Sequence, residues 1–278
     1  MRLTRNQAQA LSWALVLTLG LLCWSPAFPN PPGNDRKPQR MTWNVDGTER
    51  HALIFLPAET DDESAPVLFG FHGHGGKARS AARNFRLQEL WPEAIVVYMA
   101  GLPTPGRLTD PEGKKSGWQH AVGEQNDRDL KFFDAVLSTL RKDHGIDDRR
   151  IYATGHSNGG GFTYLLWTSR PKLFAAIAPS AAGSGSLRSG EPSPVPVMHI
   201  AGKNDQTVKY EWQKWTMRRV CEINECSEAG EPWADVCTLF SSPFETPFVA
   251  CVHNGNHKYP QIAPELIVRF FRENQRPA

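Results

Sequence analysis

Ser157 stands at the centre of Gly155-His156-Ser157-Asn158-Gly159, a serine held between glycines two residues away on either side. That spacing suits a nucleophile on a sharp strand-to-helix turn, where side chains at the glycine positions would collide with the backbone. A serine hydroxyl needs a base to take its proton, and the base needs a carboxylate to fix its tautomer. Asp205, in Gly202-Lys203-Asn204-Asp205, and His257, in Asn254-Gly255-Asn256-His257, follow Ser157 in the order Ser, Asp, His. His253 and Asp235 compete for these roles, but His253 falls at a strand end before the Asn-Gly-Asn turn and Asp235 in a cysteine-rich stretch. A base has to reach over a sheet edge on a loop, which favours His257. An oxyanion needs two preorganised N–H donors. The N–H of Asn158, after the nucleophile, is one; that of His74 or Gly75, in His72-Gly73-His74-Gly75-Gly76, is the expected second. Flanking glycines make a turn there rather than a continuing strand, which argues against His72 and His74 as metal ligands. The chemistry needs no metal and no organic cofactor.

Aromatic residues near these motifs are candidates for the wall of a substrate pocket. Trp118, after a long loop, either lines such a pocket or anchors the loop in the core; Trp212 and Trp215 either border the same pocket or do not. His156, His51, His120, His144 and His199 read as packing or surface groups.

The elements that must position these residues follow from periodicity. Residues 42–45 and 51–56 read as strands around an Asp46-Gly47 turn. The apolar runs 66–71, 94–100, 150–154, 174–178, 197–201 and 248–252 read as buried strands. Leu130, Phe133, Val136, Leu137 and Leu140 set an amphipathic helix over 127–142, a second helix follows Ser157 to about residue 170, and a third covers 263–272. Continuous apolar strands alternating with helices imply a mostly parallel sheet covered on both faces. The loops 101–126 and 206–247 carry no clear period.

The chain has 278 residues, with 40% hydrophobic and 22% charged, an ordinary globular composition. Its 31 Lys and Arg against 29 Asp and Glu leave a surplus supplied by Arg2 and Arg5. Those two precede an apolar run of about 15 residues, short for a membrane span of roughly 20, and Ser25-Pro26-Ala27 follows. This is the pattern of a secretory signal over 1–27, with residues 28–40 as a Pro-rich linker and 41–278 as one catalytic domain. Without Arg2 and Arg5 the charges balance, so nothing points to nucleic acid or an anionic membrane as partner. The expected location is secreted or periplasmic. Cys23 belongs to the removed segment, leaving Cys221, Cys226, Cys237 and Cys251. Four cysteines in an oxidising compartment imply two disulfides among three possible pairings.

The blocks HGHGG at 72–76, DRRIYATGHSNGG at 148–160, AGKND at 201–205 and NGNHKYP at 254–260 resemble the secreted polyhydroxybutyrate depolymerase-like and feruloyl esterase group of α/β-hydrolases, related to carbohydrate esterase family one. The resemblance spans about residues 41–273. It implies an α/β-hydrolase fold and an extracellular serine esterase with Ser157 as nucleophile, Asp205 as acid and His257 as base, acting on an ester substrate, small or polymeric. Its last motif ordinarily ends in His-x-Trp-Pro, where this chain has His257-Lys258-Tyr259-Pro260. It also implies disulfides Cys226–Cys237 and Cys221–Cys251. A serine peptidase of the same fold, or a non-catalytic carbohydrate- or polymer-binding protein, are the competing readings.

Overall fold

The computed structural model describes residues 36–57, 64–188, 190 and 192–277. The expected signal segment and most of the linker lie outside these. In chain order the elements are β1 (Gln39–Val45), β2 (Thr48–Phe55), β3 (Ala65–Phe71), α1 (Ala78–Phe85), α2 (Leu87–Leu90), β4 (Ile95–Met99), β5 (Leu102–Pro103) and β6 (Ser116–Gly117). They continue with α3 (Arg128–Asp143), β7 (Ile146–His156), α4 (Asn158–Ser169), β8 (Ala176–Ser180), β9 (Val197–Gly202), α5 (Tyr210–Ile223), β10 (Glu231–Ala234), β11 (Cys237–Phe240), β12 (Phe248–His253) and α6 (Ala263–Glu273).

One ten-stranded sheet runs β1-β2-β4-β3-β7-β8-β9-β12-β11-β10. The six central strands from β4 to β12 are parallel, and the pairs at both flanks are antiparallel. This is the mostly parallel sheet that continuous apolar runs require, because both faces of the central strands are covered. One face packs Phe69, Phe71, Ala153 and Val197 under residues of α3, α4 and α5. The other packs Leu68, Tyr98, Tyr152 and Met198 under α1 and α6. The hairpin β1–β2 has the register Val45↔Thr48 around Asp46-Gly47, and Gly47 supplies φ +82° for the turn.

Parallel strands align their carboxyl ends, and in open α/β sheets the site collects there. β3 delivers the loop of His74, β7 delivers Ser157, β9 delivers Asp205 and β12 delivers His257. The buried pair Arg50–Asp129, at 2.8 Å, fastens β2 to the start of α3. Asp129 also accepts the Gln119 N–H, which secures the chain just after Trp118. Among the described residues no helix is long and apolar enough to cross a membrane.

The cysteines pair differently from the implied pattern. Cys237 and Cys251 form a disulfide, because they face each other across the β11–β12 ladder with Cα atoms 4.0 Å apart. Cys226 therefore cannot bond to Cys237, nor Cys221 to Cys251. Cys221 and Cys226 remain thiols, brought together where α5 ends, with the Cys226 N–H bonded to the Cys221 carbonyl. The mutual hydrogen bond and burial push the Cys221 thiol well above the ordinary range.

Candidate active site

Ser157 lies between β7 and α4 with φ 57° and ψ −119°, a backbone conformation that L-residues avoid. The local sequence forces it. A Cβ on Gly155 would run into the Gly159 carbonyl, and one on Gly159 would run into the carbonyls of Phe71 and His72. Glycine at both positions lets the helix start directly against the end of β3. The neighbouring strand adds support, since the Ser157 N–H donates to the Ser180 carbonyl at 2.9 Å.

The Ser157 hydroxyl reaches His257 Nε2 at 2.8 Å, and His257 Nδ1 reaches Asp205 Oδ2 at 2.7 Å. With the ring proton on Nδ1, Nε2 is free to accept from the serine. The Asp205 side chain is fully buried and His257 is 26% exposed, so the chain of groups opens toward solvent only at the base and serine end. A buried carboxylate needs its lone pairs satisfied. Asp205 Oδ1 accepts the N–H groups of Thr207 and Val208, at 2.8 and 2.9 Å, and Oδ2 accepts Gln213 Nε2 at 3.1 Å besides the imidazole.

Behind the carboxylate a polar chain continues into the core. Gln213 Oε1 accepts from His199 Nε2 at 3.2 Å, and His199 Nδ1 accepts from the Tyr164 hydroxyl at 2.7 Å. Burial lowers His199 to about 4, which keeps it neutral and suits its role as donor on one nitrogen and acceptor on the other. His156 packs its ring 5.1 Å from the His257 ring and bonds through Nδ1 to the Ser180 hydroxyl. Burial lowers His156 also to about 4, so it adds no charge beside the His257 ring. His199 and His156 both read as bland in the sequence, and both touch the machinery.

Of the expected oxyanion donors, Gly75 gives its N–H to the Ser116 carbonyl, leaving the His74 amide as the candidate beside that of Asn158. The His74 ring is held at Nε2 by Asp110, at 3.0 Å. The His72 ring is engaged at both nitrogens, with Gly73 O and with the Gly101 N–H, and burial lowers its pKa. Asn158 has a second function that the sequence did not signal. Its side chain accepts the Trp118 N–H at 2.8 Å and donates to the Trp118 carbonyl at 3.0 Å, fixing the long loop to the helix start.

Trp118 does not line a substrate pocket. It is wholly buried, stacked on Phe162 at 5.1 Å, with its indole N–H on the His72 carbonyl. Its ring is held by the core of the fold, and it shapes the site only through the loops it anchors. The pocket wall comes instead from Trp212, which lines a 210 Å³ cavity together with Ser157, His74 and Asn158. A wider cavity of 870 Å³ adjoins it and shares Arg107, His120 and Trp212, with Trp215 and Arg188 further along. Asp235 sits in the turn between β10 and β11, and His253 Nδ1 accepts the Gly255 N–H; the structure joins neither to Ser157.

A sheet of this order, with a strained serine after its fifth strand in space and a carboxylate and histidine at neighbouring strand ends, defines the α/β-hydrolase class. Residues 111–189 match the model of the prolyl oligopeptidase family. The chain is 28% identical to a probable feruloyl esterase C of Aspergillus clavatus, over 80% of this chain and 83% of that protein. It is 31% identical to a bifunctional acetylxylan esterase/xylanase of Neocallimastix patriciarum, over 59% of this chain and 23% of that protein. Among solved structures, the acetyl xylan esterase from Aspergillus awamori matches with a TM-score of 0.65 at 14% identity, covering 84% of this chain and 98% of that one. The chain is a feruloyl esterase-like α/β-hydrolase and a carboxylic ester hydrolase. The polyhydroxybutyrate depolymerase side of the resemblance finds no support in these relatives.

Proposed function

We propose that the protein is an exported serine esterase that removes feruloyl or acetyl groups from polysaccharide through an acyl-enzyme. The carrying observation is the hydrogen-bonded series Ser157–His257–Asp205 at the carboxyl ends of β7, β12 and β9 in the parallel part of the sheet. In this reading His257 Nε2 takes the Ser157 proton as Oγ attacks the ester carbonyl. The tetrahedral oxyanion is held by the N–H groups of Asn158 and His74, the former at a helix start where backbone donors are free. His257 then protonates the departing alcohol, and the same base activates water to release the acid. Asp205 keeps the proton on Nδ1 and balances the imidazolium. Export through residues 1–27 and a single catalytic domain over 41–278 belong to the same reading.

The experiment is a substrate panel of p-nitrophenyl acetate, p-nitrophenyl butyrate, methyl ferulate and acetylated xylan, each with wild type and Ser157→Ala. We expect kcat to fall about 10⁴-fold or more in the variant, with an unchanged circular dichroism spectrum. Turnover retained by the folded variant would sink the mechanism. The match of residues 111–189 to the prolyl oligopeptidase family favours one second reading, peptide hydrolysis by the same three residues. An acyl-amino-acid p-nitroanilide added to the panel separates amide from ester preference.

A further inference from the structure

The series Ser157–His257–Asp205 accounts for bond breaking but not for the 870 Å³ cavity that runs on from it. Aromatic and cationic side chains furnish this extension. Trp212 is 45% exposed, unusual for so large an apolar group, and lines both cavities. Each indole at the extension has a cation by its ring. Lys209 Nζ lies 5.8 Å from the centre of Trp212, and Arg188 Cζ lies 4.9 Å from the centre of Trp215. Arg107 stands where the two cavities meet.

The charges are one-sided. Among the described residues no Asp or Glu lines either cavity. Arg107 is paired with Glu124 at 2.9 Å, but Arg188 and Lys209 have no carboxylate partner among the described residues. On α5, Lys214 is matched by Glu211 and Arg219 by Glu222, while Arg218, which lines neither cavity, has no carboxylate partner among the described residues. Beside the exposed Trp212 and the half-buried Trp215, the cations without a carboxylate partner among the described residues are Lys209 and Arg188, of which Arg188 lines the wider cavity. Flat apolar faces next to unneutralised cations favour a ligand with an apolar ring face and a carboxylate on the same ring. A neutral sugar would use the indoles and leave the cations without partners.

We propose that the extended cavity is a subsite for an acidic oligosaccharide, a chain of sugar rings bearing uronic carboxylates, and that the physiological ester is carried on such a chain. Trp212 and Trp215 take the ring faces, and Arg188 and Lys209, with Arg107 at the junction, take the carboxylates. The inference rests on the serine-esterase reading only for where the reacting bond lies.

Binding can be measured apart from hydrolysis. In calorimetric titrations of Ser157→Ala, tetragalacturonate is expected to bind at least about tenfold tighter than neutral xylotetraose. Raising sodium chloride from about 0.05 to 0.5 M should weaken the acidic ligand and leave the neutral one nearly unaffected. Adding Arg188→Gln and Lys209→Gln, both at the surface and compatible with folding, should narrow the preference to within about threefold. Adding Trp212→Ala should weaken both ligands. Equal affinity for the two tetrasaccharides, absence of tetragalacturonate binding, or a preference untouched by the double substitution overturns the subsite. Serine-dependent ester turnover without acidic binding removes the subsite alone. Acidic binding without any ester turnover removes the catalytic reading and leaves the subsite standing.

Discussion

Asp205 is the residue whose surroundings are most completely specified. Its two oxygens meet four donors, two from backbone and two from side chains, all inside the protein. Asp205→Asn keeps the shape but offers the imidazole a donor or a weaker acceptor, so the wrong tautomer is favoured. The expected result is a fall in kcat of about 10⁴-fold with little change in thermal stability, read by steady-state kinetics and melting curves. Gln213 acts one step back, as a positioning residue: its amide holds Asp205 on one side and the Val208 carbonyl on the other. Gln213→Leu should lower kcat about tenfold with KM held. A variant that loses only melting temperature, with kcat intact, would show that the glutamine is merely filling space. That Ser157, His257 and Asp205 come together was readable from residue type and order, since each follows a strand whose carboxyl end lies on the same edge of the sheet. Gln213 was not, because an amide becomes informative only when the fold aims it at a buried carboxylate.

Helix α4 and strand β3 meet at a contact that tolerates no side chain. Gly159→Ala drives a methyl group into the carbonyls of Phe71 and His72, both backbone atoms of a central strand end. Neither can retreat without disturbing the loop that bears His74. The expected cost is about 3 kcal/mol in urea unfolding together with loss of turnover, and a variant of wild-type stability would show that the strand end is softer than its hydrogen bonding suggests. The same scale explains what the sequence hid. The strands and helices with clean periods were legible to within a few residues. Helix α5 was not, since exposed Trp212 and the surrounding cations break its apolar stripe. The hairpin β10–β11 sits inside the stretch 206–247, whose sequence carries no clear period. Without β11, nothing in the sequence could tell that Cys237 stands opposite Cys251, or that Trp118 turns inward to stack on Phe162.

Burial lowers the pKa of several histidines in the molecule, His199 and His156 most. Burial lowers His199 and His156 to about 4, below the ordinary value of about 6.5. The unfolded chain then binds protons that the folded one refuses, so their contribution is fully present above pH 6.5 and is lost as pH falls toward 4. The limiting slope is about 1.4 kcal/mol per pH unit for each histidine. Melting temperature should be level near pH 7 and fall steadily from pH 6.5 to 4.5 in wild type. A flat profile over that interval would mean that neither ring is held neutral.

Trp212 and Gln213 are consecutive residues of α5, one lining the open cavity and the next bonded to Asp205. For anyone redesigning the protein, that adjacency makes α5 an indivisible cassette. Exchanging the helix to change what is recognised also exchanges the support of Asp205, so a transplanted helix without a glutamine at 213 would arrive with altered taste and a weakened engine. Libraries aimed at the cavity should vary Trp212, Trp215 and Arg188 while leaving Gln213 untouched.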